Sequence, residues 1–568
     1  MGVTLDDGLE RAWRGNVVRA RRHLGWATDA ACVVRRHASG VSLALAAPID
    51  QLFTATELNE WALCSALHAR DPARWSGLRD ALRAAAGQSS PTPASPFPAE
   101  IGEPAALARL SRVAAGEQRP DLVALVDAAR SRGCPVLLDD QSLTLGAGAT
   151  SCSFDLAKLP SLADVAWRDL RPVPTALVTG SNGKTTTVRL IAACAQAQGW
   201  RAGYSCTDGV FIAGAMLESG DYSGPAGARR VLRDERVEAA VLETARGGIL
   251  RRGLAVTRAD VAVVTNVSSD HFGEYGIHDL EALAGVKLTV GSVVPDDGLL
   301  VLNADDGMLR AKAAELGSRF GRCPPLGWFA ADADDPYLAA HRQSGGSTCG
   351  VRSGRLVVAH RGAEHDLGEI GRMPLTVGGR AGYNVANLAA AALAAVGLGI
   401  PAARVAEVFA RFGEHVTDNP GRMMRFERGG VQLLVDYAHN PEGLAGLLGV
   451  AASLRGDGGR LGVVLGHAGN RGDRDIERLA ETAAQFAPAL VVIKELEGYL
   501  RGREPGEVPR ILRAALLRAG LPGDALKMQS TELDAVRCAL EWGRPGDVLA
   551  LPVHGLAARA AVLEMLQA

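Results

Sequence analysis

From residue 172 onward, short apolar runs alternate with longer amphipathic ones. The apolar runs lie at Thr175–Thr179, Ala239–Leu242, Val261–Thr265 and Leu299–Leu302. Runs this short, bounded by turn residues, predict buried strands. Thr185–Gln198 and Asp279–Val290 carry helical patterns between them. Such alternation predicts a mostly parallel sheet covered by helices. The Ala-rich stretch Asn384–Val396 predicts another helix. A second alternating segment follows, with strands expected at Gln432–Val435, Arg460–Leu465, Ala489–Ile493 and Asp547–Leu551.

The first 170 residues read differently. Gly40–Ala47 is strand-like and Thr54–Ala69 helical, while Gly87–Glu100 is rich in Ser and Pro and predicts a surface loop or linker. Pro104–Arg132 predicts two helices. Cys134–Leu138 predicts a short buried strand, followed by a polar turn and Leu143–Leu145. Two prolines in Arg168–Pro174 mark a boundary, and another falls near residue 411. The expectation is a multidomain α/β protein. An α+β N-terminal domain covers 1–170, a central parallel-sheet domain covers 171–410, and a Rossmann-like C-terminal domain covers 411–568.

Composition narrows the classes. The 568 residues suggest roughly three or four domains at about 150 residues each. Hydrophobic content of 47% and charged content of 22% are globular values. A formal charge of −2 gives no pull toward nucleic acid or an anionic membrane. Of the 61 basic residues only six are lysines, so a lysine inside a motif carries weight. The nine cysteines show no C-x-x-C pair and no zinc spacing, which fits a reducing compartment. Met1 to Asp7 has neither a basic start nor an apolar core, and no stretch approaches the ~20 apolar residues of a membrane helix. A cytoplasmic protein is expected.

The strongest chemical signal is the loop Gly180-Ser181-Asn182-Gly183-Lys184-Thr185-Thr186, between a predicted strand and a predicted helix. Gly180 and Gly183 permit close backbone approach to a phosphate. The following helix N-terminus offers free N–H groups and partial positive charge. Lys184 is placed for terminal phosphates and Thr185 for Mg²⁺. This pattern predicts a bound nucleoside triphosphate.

Four later features sit where ATP-dependent activation of a carboxylate needs them. Glu243 ends an apolar strand, the place of a metal-binding acid; the alternative is a solvated carboxylate. His271 follows the Val261–Thr265 run, with Asp270 beside it to orient the imidazole; the alternative is an exposed histidine. Lys287 has apolar neighbours in Val286 and Leu288. A buried amine loses its charge readily and reacts with CO₂ to give a carbamate, an anionic metal ligand; the alternative is a lysine with its head in water. Finally, Arg422 in Asn419-Pro420-Gly421-Arg422 can clamp a transferred phosphoryl group, and Asp436 at a strand end can meet a ribose hydroxyl or the metal shell. Glu218, Asp221, Glu495 and Glu497 are acidic positions for a cationic substrate, or solvated surface.

Together these residues resemble the Mur ligase superfamily of ATP-dependent amide ligases, over roughly residues 172–568. Further matching stretches are Val301–Asp306, Gly382–Asn387 and Asp436–Pro441. Within the superfamily, Thr207-Asp208-Gly209, the loop Gly220–Pro225, Leu242–Arg251 and Leu500–Glu507 most resemble the Mur-like half of the cyanophycin synthetases. The resemblance implies ATP held by Gly180, Ser181, Asn182, Gly183, Lys184, Thr185 and Thr186. It places Asn384 and Asn387 near the adenine, and Arg422 and Asp436 as nucleotide contacts from the C-terminal domain. It implies two Mg²⁺ sites drawing on Thr185, Glu243, His271 and a carbamylated Lys287.

The substrates implied are an amino-acid amine and a carboxylate-bearing peptide or small molecule, with a cyanophycin-like Asp/Arg pair as one candidate. One departure is evident: Cys134–Gly146 resembles the approach to the ATP-grasp domain of that family, yet the phosphate loop begins about thirty residues later. An ATP-grasp module is therefore not expected here, and a single ligation step is. Tyr383 also stands where the family pattern has a histidine. Residues 1–170 are expected to dock substrate or to form a homo-oligomer contact. The competing reading is a catalytically weak nucleotide-binding scaffold, a partner of a separate ATP-grasp ligase.

Overall fold

Thr175–Thr179 is buried at every position and lies inside an eleven-stranded sheet. It pairs in parallel with Ala239–Glu243 on one side and Val261–Val264 on the other. Beyond Val261–Val264 come Leu299–Asn303, Leu326–Asp332 and Ser347–Arg352, all parallel. An antiparallel pair, Arg355–His360 and Ala363–Glu369, closes that flank. On the other flank Ala202–Cys206 pairs with Ala239–Glu243, followed by antiparallel Gly209–Ile212 and Ala215–Ser219. The computed structural model describes residues 5–37, 40–73, 75, 101–269, 274–496 and 498–567. The expected loop at Gly87–Glu100 lies outside them.

The α/β expectation is met. Strands at the sheet centre are apolar on both faces because helices cover both. Lys184–Ala197 and Gly382–Gly397 pack together, and both contribute to one apolar cluster with the central strands. Alanine lets the second helix lie close: a Cβ at Gly397 would already press on Val261 and Leu299. Burying one Leu side chain contributes about 1.5–3 kcal/mol. That exceeds the ~0.7 kcal/mol spread among ordinary helix formers, so the apolar faces fix where these helices lie.

A six-stranded sheet follows, in the order Met424–Arg428, Val431–Asp436, Val548–Pro552, Leu461–Leu465, Leu490–Lys494, Leu526–Gln529. All pairs but the first are parallel. The last strand in the chain inserts between the second and the third. This reversal opens a crevice at the carboxyl ends, the usual ligand position in open α/β sheets.

The chain divides into two compact units, one of residues 1–143, 154–167 and 272–278, the other holding both large sheets. In the first, helices Asp7–Leu24, Leu52–Arg70 and Glu103–Glu117 close over Trp13, Leu58, Trp61 and Leu110. Pro120–Ser131 is a further helix, and Cys32–His37 pairs antiparallel with Gly40–Leu45. No helix among the described residues is long and apolar enough to cross a membrane.

One polar cluster lies inside the six-stranded sheet region. Lys494, fully buried at its strand end, bonds Glu532 and donates to Pro552 O at 2.5 Å. Glu532 also accepts from the backbone N–H of His554 (2.9 Å) and Gly555 (2.7 Å). The His554 Nε2–H donates to Ala438 O at 3.0 Å, which leaves Nδ1 to accept from Lys494 at 3.3 Å. Burial, then the Lys494 charge, pulls the His554 pKa below its ordinary value. Burial would raise the Glu532 carboxyl, but hydrogen bonding from His554 and the Lys494 charge hold it below the usual carboxylate range.

Both shifts have the same sign. The unfolded chain takes up protons that the native cluster resists, first at His554 below about pH 6.5 and then at Glu532 near pH 4. Chemical unfolding should therefore show stability falling as pH drops from 7 to 5, and His554→Gln should flatten that dependence. Lys494→Met leaves Glu532 buried without a cation and should cost about 3–5 kcal/mol at pH 7.

Candidate functional site

Thr175–Thr179 passes into Gly180–Gly183 and then the helix Lys184–Ala197. Gly180 and Gly183 have φ of 147° and 82°. A Cβ at Gly180 would strike the Thr265 hydroxyl, and one at Gly183 the Asn387 side-chain oxygen. The two glycines thus admit polar neighbours as well as a backbone turn. The loop is braced from the end of the Val261–Val264 strand. Ser181 N donates to Asn266 O (3.0 Å), Asn182 N to Asn266 Oδ1 (2.8 Å) and the Thr265 hydroxyl to Asn182 O (2.6 Å). Gly183 caps the helix without a side chain, so its first N–H groups face the loop, as phosphate binding requires. Lys184 Nζ folds back onto Ser181 O at 3.1 Å.

Glu243 ends its strand and is 1% exposed. The hydroxyls of Thr185 (2.8 Å) and Thr207 (3.0 Å) donate to it. Hydroxyl and carboxylate oxygens are the donors Mg²⁺ prefers, so this pair fits the expected ion. Among the described residues no group of three or more His, Cys, Asp and Glu side chains forms a metal cage. Lys287 is 3% exposed. Its helix, Leu280–Leu288, packs on Arg246–Arg252, the helix that follows Glu243. Asp270 and His271 lie outside the described residues, as does Glu497.

Residues of the second sheet region meet the loop directly. Asn440 Nδ2 donates to Asn182 Oδ1 at 2.9 Å, while its own Oδ1 caps the helix Pro441–Ser453 through Gly443 N at 2.8 Å. Asn419 accepts from Arg189 (3.1 Å) and donates to the Thr186 hydroxyl (3.2 Å). The Arg422 guanidinium lies 4.1 Å from the Tyr437 ring centre. Asp436 accepts from Met423 N at 2.7 Å, and burial pushes its carboxyl pKa up. Asn387 bonds Asn384, which in turn holds Leu375 O at 3.0 Å.

The acidic positions considered for a cation are engaged internally. Glu218 takes the Tyr222 hydroxyl and Arg230, Asp221 the Ser223 hydroxyl, and Glu495 the Gly506 N–H. Sequence reading missed Arg189 and Arg559 and gave Asp208 and Asn440 no role of their own, although Asn440 stands in the Asp436–Pro441 stretch. Asp208 stood in the quoted Thr-Asp-Gly stretch; Arg559 carried no local signal.

Residues 178–395 match the family model described as Mur ligase middle domain, and residues 421–551 match Mur ligase, glutamate ligase domain. Cyanophycin synthetase of Synechocystis sp. is 37% identical over 369 residues, 65% of this chain and 41% of that protein. The chain thus spans about two fifths of the cyanophycin synthetases that it matches. A UDP-N-acetylmuramoyl-L-alanyl-D-glutamate--2,6-diaminopimelate ligase of Alkalilimnicola ehrlichii is 30% identical over 386 residues, 66% of this chain and 70% of that protein. Among solved structures, Mycobacterium tuberculosis folylpolyglutamate synthase complexed with ADP aligns with a TM-score of 0.51 at 17% identity. That alignment covers 70% of this chain and 91% of that one, and it speaks for the fold alone.

The glycine geometry is directly testable. Gly183→Ala combines a positive φ with a blocked Cβ position, whereas Gly199, at φ 95°, has nothing within 4 Å. Unfolding midpoints should show a loss of about 1 kcal/mol for Gly199→Ala and a further 1–3 kcal/mol for Gly183→Ala.

Proposed function

The chain belongs to the Mur ligase family, and from that premise we propose that it is an ATP-dependent carboxylate–amine ligase of the ADP-forming type. The observation that carries the reading is the joined set at the phosphate loop. Thr185 and Thr207 meet on buried Glu243, and Asn440 of the second sheet region clasps Asn182. Gly180 to Thr186 would hold the triphosphate, Asn384 and Asn387 would lie near the adenine, and Asp436 would meet the ribose. The units of function would be 171–410 and 411–568, with 1–170 for substrate docking or an oligomer contact.

Thr185 and Glu243 would hold one Mg²⁺, and His271 with carbamylated Lys287 a second. When bound, these ions neutralise phosphate charge. A carboxylate oxygen attacks the γ-phosphorus, and the bond from that phosphorus to the ADP oxygen breaks. Lys184 and Arg422 offset the charge that spreads over the transferred phosphoryl oxygens. The amine then attacks the acyl carbon, phosphate departs with its electron pair, and the amine loses a proton. The products are an amide, ADP and phosphate.

Likeness to cyanophycin synthetases over 65% of the chain favours a basic amino acid as the amine and an acidic, aspartate-containing peptide as acceptor. ADP release should appear when such an amine and acceptor are both present. Lys184→Ala should lower it by about 10²-fold or more. Lys287→Ala should be inactive and partly restored by a small carboxylic acid. A chain that binds ATP yet releases no ADP with any pair would be a scaffold instead, and full activity of Lys287→Ala would remove the carbamate.

A further inference from the structure

Asp208 follows Thr207, whose hydroxyl reaches Glu243. Its carboxylate is shared between two guanidinium groups. Oδ2 accepts from Arg189 Nη2 at 2.6 Å and Oδ1 accepts from Arg559 Nη2. Arg189 comes from the helix behind the phosphate loop, Arg559 from the final helix, Leu556–Gln567. The three side chains are at most 6% exposed. Arg422 acts on the same carboxylate and also on Asp436. Three fixed cations thus face two carboxylates, beside the uncharged Tyr437 ring that lies under both Arg422 and Arg559.

Arg559 Nη1 is buried and has no hydrogen-bond partner. An unmet N–H of this kind costs about 1–3 kcal/mol, and native interiors leave few of them. Its position is built rather than incidental. Gly421, at φ 71°, makes room for it, since a Cβ there would strike the guanidinium. Thr185, Glu243, Thr207, Asp208 and Arg559 also form one connected chain, through three side-chain hydrogen bonds and the Thr207–Asp208 peptide. Arg559 thus shares the Tyr437 ring with Arg422, the residue assigned above to the transferred phosphoryl group.

We propose that Arg559 donates its unpartnered N–H to an oxygen of the phosphoryl group being transferred, so that Arg422 and Arg559 meet that group together. Asp208 is the positioning residue that aims Arg559 and ties it to Arg189. The inference rests on the ligase reading for the identity of the anion. A planar guanidinium fork suits it, since one edge holds the Asp208 carboxylate and the rest remains for phosphate oxygens.

The test is calorimetric, on the full chain with Mg²⁺, using ADP and the β,γ-imido analogue of ATP. Arg559→Met should weaken the analogue by about tenfold or more and leave ADP within about twofold. Arg559→Lys keeps a cation for Asp208 but loses the fork. If Arg559→Met does not fold, the lysine variant should still weaken the analogue by about fivefold and spare ADP. Equal loss for both nucleotides, or no loss for either, in a variant with native unfolding behaviour overturns the proposal. Failure of the ligase reading shows itself separately, as a wild-type chain that binds both nucleotides but releases no ADP. The analogue-to-ADP ratio in the variants then still decides the role of Arg559.

Discussion

Two buried carboxylates, Glu243 at the end of its strand and Asp208 in the turn that follows the neighbouring parallel strand, set the terms for everything around them. A carboxylate removed from water must gain donors or cations of comparable strength. Asp208 gains two guanidinium groups, one from 19 residues before it and one from 351 residues after it. Glu243 gains hydroxyls, the softer solution, which keeps it compatible with a divalent ion. The difference divides the labour: one acid ties distant segments together, and the other keeps the oxygens that the proposed ligase would offer to a metal ion.

Around them, rigidity comes from residues that satisfy two demands at once. Asn440 caps a helix with its oxygen and grips the phosphate loop with its nitrogen. Thr265 closes Gly180 from one side while its hydroxyl holds Asn182 O. The Ala-rich helix Gly382–Gly397 brings Asn387 against Gly183 because small side chains let it lie close to the sheet. Each is a local choice of residue that makes sense only in the assembled fold, which is what a cooperative structure requires.

Central strands such as Thr175–Thr179 and Val261–Val264 were legible because burial on both faces leaves an unbroken apolar run. Ala202–Cys206 escaped notice because Gly203 and Ser205 interrupt its run. Gly203 is nonetheless demanded, since a Cβ there would press on Val231 and Val237. The hairpin Arg355–Glu369 escaped because an edge strand keeps polar side chains. In the site, Lys184, Thr185 and Glu243 were legible as contiguous motifs following apolar strands. Arg189 and Arg559 were not, for an arginine inside an ordinary helix acquires meaning only from a partner far away in sequence. The N-terminal helix Asp7–Leu24 showed its face through Leu9, Trp13, Val17 and Ala20, a signal overlooked beside the stronger alternation downstream.

The outer strand Ala363–Glu369 carries Glu364, Asp366 and Glu369, with Glu364 and Asp366 paired to Arg352 and Arg355. Its pairing with the neighbour also slips register near Leu356. An incoming strand from another molecule would have to lie along a charged, irregular rim rather than a straight apolar ladder. On this flank the eleven-stranded sheet is in this way terminated by its own border.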